Sequence, residues 1–92
     1  MSIEVRIPTV LRKHTEGEKA VRGSGTTIRE VLGDLESQHA GLTGALVDAD
    51  GSLQRFINMY VNDEDVRYLG QLDTPVRDGD IISILPAVAG GR

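Results

Sequence analysis

The sequence predicts an α+β domain in which a mixed sheet of four to five strands packs on one main helix. Three observations carry this. Several short segments alternate apolar and polar residues at period two. One stretch instead repeats its apolar residues at helical spacing. The order of these segments along 92 residues leaves room for only one small core.

The first segment, "IEVRIPTV", alternates Ile3, Val5 and Ile7 with Glu4, Arg6 and Pro8, the pattern of a half-buried strand. "HTEGEKAVR" reads as a turn at Gly17 and a second strand over residues 18–22, which makes the two a hairpin. In "GSGTTIREVLGDLESQHAG", Ile28, Val31, Leu32 and Leu35 form a single helical stripe. Thr27 followed by Glu30 has the spacing of a capping box, and Gly41 suits a stop. Gly33 is costly inside a helix, so something is expected to pack closely there. "LTGALVDADGS" reads as a connection with a helical turn over residues 42–46. "FINMYVN" is a strand, "NDED" a charged turn and "VRYL" a short returning strand. After the loop "LDTPVRDGD" comes the last strand, "IISIL", which Pro86 ends. Strand, strand, helix, strand, short strand, strand is the order of a β-grasp, or ubiquitin-like, domain. In that arrangement the first hairpin is expected in the middle and the last strand beside the first. The domain is assigned to residues 1–86, and 87–92 to a flexible tail.

The composition excludes several functions. A chain of 92 residues buries only about 60–65 % of its unfolded surface, which leaves little room for an internal catalytic cleft. Fourteen acids against ten bases give a net charge of −4, which disfavours nucleic acid and anionic membrane and points to a partner with a basic face. The opening "MSIEVRIPTV" reads as a strand rather than a leader, and no apolar run spans a bilayer, so a cytoplasmic location is expected. Cysteine is absent, which removes disulfides, thiolate metal sites and thiol nucleophiles.

Local motifs are better read as structure than as sites. "GSGTT" lacks the lysine and spacing of a phosphate loop. "DADGS" lacks the further oxygen ligands of a calcium loop. His14 and His39 fall in unrelated segments. An acyl carrier would be a helical bundle with a modified serine at a helix start, whereas Ser37 is near a helix end in a strand-rich chain.

The final six residues, "AVAGGR", remain. Two glycines after a last strand make a thin strip able to enter a narrow channel and present a carboxylate. "DGDIISILPAVAGG" resembles the C-terminal signature of bacterial sulfur carriers related to ubiquitin, among them the thiamine-pathway carrier and the small subunit of molybdopterin synthase. "IPTVLRKHT", "RFINMYVNDEDVRYL" and "ILPAVAGG" are most similar to the actinobacterial carriers that supply sulfur for cysteine synthesis from O-phosphoserine.

The resemblance implies a protein co-substrate, not an enzyme. An E1-like enzyme would use ATP to adenylate Gly91, and sulfide equivalents would convert it to a thiocarboxylate. A PLP-dependent O-phosphoserine cysteine synthase would take the sulfur, and a JAMM-type zinc peptidase would release the cysteine. No cofactor is expected on the carrier itself. Val88, Ala89 and Gly90 are then the tail that enzymes recognise. Arg92 lies beyond the second glycine, and two origins stay open: a residue removed by the peptidase, or a cloning remnant. Two other roles share the tail: the small subunit of molybdopterin synthase and a ubiquitin-like protein modifier. By alternation, Phe56, Tyr60 and Leu85 should lie on the sheet face away from the helix, as a docking patch or under a satellite core formed by Leu69 and Leu72.

Overall fold

The computed structural model describes residues 2–86. Its elements are β1 (Ile3–Arg6), β2 (Ala20–Gly23), α1 (Ile28–Gln38), α2 (Leu42–Leu46), β3 (Ile57–Val61), β4 (Glu64–Asp65) and β5 (Ile81–Pro86). The sheet runs β2-β1-β5-β3-β4, with β1 and β5 parallel and every other pair antiparallel. This is the expected β-grasp. One expectation is corrected: the first hairpin forms one side of the sheet, and the central strand is β5. The reason is burial. Ile82 and Ile84 are as apolar as anything in the chain, and the middle of the sheet is where both neighbours and the helix can cover them.

Alternation sets the two faces. Val21, Val5, Ile82 and Val61 lie in one paired row across four strands, all directed at the stripe Ile28, Val31, Leu32 and Leu35. Met59 and Ile84 form the next row. Leu42 and Leu46 of α2 close the core at one end, and Val66, Leu72 and Val76 belong to the same cluster.

Other differences from the sequence reading have local causes. β1 stops at Arg6, and Thr9–His14 is a 3₁₀ helix, because Pro8 has no N–H for the ladder while its carbonyl accepts from Leu11 N at 3.0 Å. The turn into β2 places Glu16 and Gly17 at positive φ, so β2 begins at Ala20 rather than residue 18. "VRYL" is not a strand. The Asp65 carboxylate accepts from Arg67 N at 2.9 Å, and that local bond turns Val66–Tyr68 into 3₁₀ geometry. A further 3₁₀ turn, Gln71–Asp73, overlaps the start of the expected loop. Gly41, at φ 95°, opens α2 instead of ending α1, which stops at Gln38. Pro86 lies within β5 as its last described residue, paired with Ile57.

The α1 cap forms as expected: Thr27 Oγ1 accepts from Glu30 N at 3.2 Å, although the Glu30 carboxylate reaches Thr26 N (2.8 Å) instead of Thr27. Gly33, by contrast, has nothing within 4 Å of where a Cβ would sit, so no neighbour requires it. Gly33→Ala should therefore stabilise the protein by about 0.5–1 kcal/mol through backbone entropy, read as a higher denaturation midpoint at unchanged slope.

A second pair of contacts links α1 to α2. The Glu36 carboxylate accepts from Gly41 N at 2.9 Å and Thr43 N at 3.0 Å. Those amides hold Glu36 below its ordinary value, as the Thr26 amide and hydroxyl hold Glu30. A carboxylate with a lowered folded-state pKa contributes stability that is present above its ordinary value of 4.5 and is lost as pH falls through the folded value. Melting temperature should thus drop on acidification below that value. Glu36→Ala should start lower and show a shallower drop, because one of the groups responsible is gone.

Candidate functional site

The site builds from the open face of the sheet. On β5, Ile82 and Ile84 point into the core, so Ile81, Ser83 and Leu85 point away from it. One row of paired residues crosses all five strands on that outer face: Ala20, Arg6, Ser83, Tyr60 and Asp65. Beyond Ser83, toward the end of β5, Leu85 stands opposite Asn58. Among the described residues neither α1 nor α2 packs on this row. Tyr60 is half-buried among its neighbours, and Leu85 remains 48 % exposed.

A cleft of about 560 Å³ opens beside the end of β5, with Ile7, Pro8, Leu85 and Tyr60 as its apolar lining and Arg6, Arg12 and Lys19 at its edge. Arg12 is held there by its Nε, which donates to the Ile7 carbonyl at 3.1 Å. Arg6 is paired with Glu4 at 2.9 Å. On the opposite flank Arg67 donates to Asn58 Oδ1 at 2.7 Å and to Asp65 at 3.0 Å. The guanidinium lowers the pKa of Asp65, and the carboxylate raises that of Arg67, so both stay charged.

The predicted docking residues are therefore brought together in part. Tyr60 and Leu85 line the same cleft. Phe56 lies outside it, just before β3, and is 58 % exposed. The alternative cover by Leu69 and Leu72 does not form: Leu72 is buried in the helix-side core, and Leu69 is exposed. Val88, Ala89, Gly90, Gly91 and Arg92 lie outside the described residues.

The rejected motifs are turns. Asp48 accepts from Asp50 N and Ser52 N within its own loop. Among the described residues no three acids or histidines gather to hold a metal, and no helix is long and apolar enough to cross a membrane. The sequence reading missed the cationic edge of the cleft. A signal was present: five of the ten basic residues fall within residues 6–22, against Glu16 and Glu18.

Residues 5–91 match the ThiS family. The chain belongs to that family. Among ThiS-type relatives, the sulfur carrier protein CysO of Mycobacterium tuberculosis is 53 % identical over 93 residues, covering 99 % of this chain and 100 % of that protein. The crystal structure of the BexX/CysO complex of Amycolatopsis orientalis contains a chain 56 % identical, with a TM-score of 0.90, covering 97 % of this chain and 99 % of that one. The crystal structure of Mycobacterium tuberculosis CysO is similar at 51 % identity and a TM-score of 0.90, covering 94 % and 99 %. As a ThiS-family member the chain is a small ubiquitin-like carrier, not an enzyme, in agreement with the resemblance seen in its tail and middle segment.

Proposed function

We propose that this protein carries sulfur as a thiocarboxylate on Gly91 for cysteine biosynthesis in the cytoplasm. The observation that carries the reading is the likeness to CysO over the whole chain, together with a Gly-Gly pair four and five residues beyond Pro86. A carboxylate is a poor electrophile. Attack of its oxygen on the α-phosphate of ATP expels pyrophosphate and makes an acyl adenylate. A sulfide equivalent then attacks the carbonyl carbon and expels AMP. The thiocarboxylate left behind is ionised at neutral pH and nucleophilic, a capacity no side chain of this cysteine-free sequence supplies.

Three enzymes act in turn. An E1-like enzyme uses ATP for adenylation and sulfur loading. A PLP-dependent cysteine synthase lets the sulfur attack a carbon derived from O-phosphoserine, after which the acyl group moves from sulfur to nitrogen. A JAMM-type zinc peptidase hydrolyses the new amide, frees cysteine and restores the carrier. Val88, Ala89 and Gly90 are the strip these enzymes grip, and Phe56, Tyr60 and Leu85 are apolar contacts for docking. Arg92 must be removed before the first step.

Intact-mass measurement tests this. Protein ending at Gly91, incubated with the host's activating enzyme, ATP and a sulfur source, should gain the mass of one oxygen-to-sulfur exchange. Addition of the synthase and O-phosphoserine should then give a cysteinyl adduct. A terminus that never acquires sulfur overturns the reading. Sulfur loading without the cysteinyl adduct overturns the cysteine assignment alone.

A further inference from the structure

The net charge of −4 conceals a division of the surface. Residues 6–22 hold five bases and two acids, whereas residues 23–86 hold eleven acids and four bases. The fold sets the basic segment beside the end of β5, because β1 pairs with β5 in parallel and Arg6 stands next to Ser83. Arg6, Arg12 and Lys19 thus edge the apolar cleft lined by Leu85 and Tyr60. Glu4 and Asp63 also reach this cleft, and Glu4 is committed to Arg6 and Arg22. Among the described residues Arg12 and Lys19 have no ion-pair partner.

We propose that this cleft docks an acidic segment with an apolar tip, presented by the enzyme that activates the tail. The inference rests on the carrier reading above. Position supports it first: Gly91 lies five residues past Pro86, so an enzyme acting on it must hold the domain within a reach of at most ~18 Å from the end of β5. The cleft is at that spot. Charge supports it second. An acidic partner is repelled by most of this surface and attracted at one place, which fixes orientation as well as encounter rate. The overall charge had pointed to a basic partner; the working end of the molecule asks for the opposite.

The test is the steady-state kinetics of adenylation, with the Gly91-ending carrier as the varied substrate of the host's activating enzyme. Arg6→Glu combined with Lys19→Glu should raise KM roughly ten-fold while leaving kcat within about two-fold, since exposed charges act on encounter and ground-state binding. Arg77→Glu, the same kind of charge change in the loop before β5, should leave both unchanged. The wild-type KM should also rise with ionic strength, a measurement that needs no variant. An unchanged KM for the double variant together with a salt-independent wild type overturns the proposal. A fall in KM overturns it in favour of the chain's own tail as occupant, and an unchanged KM with loss of a wild-type dimer in favour of a second copy. If the wild type itself is never adenylated, the carrier reading fails instead.

Discussion

Of three forms ending at Gly90, Gly91 and Arg92, only the one ending at Gly91 should take up sulfur. The α-phosphate of ATP is fixed in the activating enzyme, and the attacking oxygen must arrive within about 3–3.5 Å of it. One residue more or less displaces the carboxylate by up to ~3.6 Å. Misplacement by about 1 Å can already cost ~100-fold in rate, so the two wrong lengths should be inert within detection. Arg92 adds a charged side chain where a glycine is accommodated. Gly90→Ala should impair loading for the same steric reason, although Gly90 supplies no reacting atom. Intact mass after incubation with activating enzyme, ATP and sulfide distinguishes all four proteins. Sulfur on the Arg92 form without proteolysis would exclude this mechanism.

The largest loss of stability should come from Ile82→Ala. Ile82 is fully buried in the central strand, between Val5 and Val61 in the paired row that faces α1. Truncation there removes contacts with the two neighbouring strands and leaves a cavity, for a cost of about 2–5 kcal/mol. At roughly 4–8 °C per kcal/mol for a domain of this size, the melting temperature should fall by on the order of 10–40 °C. Leu85→Ala, three residues on and facing outward, should change stability by no more than about 0.5 kcal/mol. Calorimetry on the pair separates the two faces of one strand. Comparable losses at both positions would contradict the open face described above.

Much of this architecture could be read from period alone. Ile3, Val5 and Ile7 are buried where alternation put them, Leu85 is exposed on the face alternation gave it, and Ile28, Val31, Leu32 and Leu35 sit where helical spacing did. Errors arose where a single local interaction decides. Pro8 ends a ladder that alternation would continue, and the Asp65 side chain bends a segment whose residues favour strand. The strand order was missed because period reports which face is buried and not which neighbour covers an edge. The cationic edge was only half legible: Arg6, Arg12 and Lys19 are close in the sequence and the β1–β2 hairpin keeps them together, but the parallel pairing of β1 with β5 is what sets them beside Leu85 and Tyr60.

That parallel pairing also decides how the protein responds to force. The N-terminal strand and the strand that leads to the tail run side by side in the same direction. Tension between the start of β1 and the end of β5 therefore slides the two strands lengthwise instead of peeling them apart. Their hydrogen bonds must share the strain and break together, so an enzyme can tug on the terminus of a domain under 100 residues long without unravelling it.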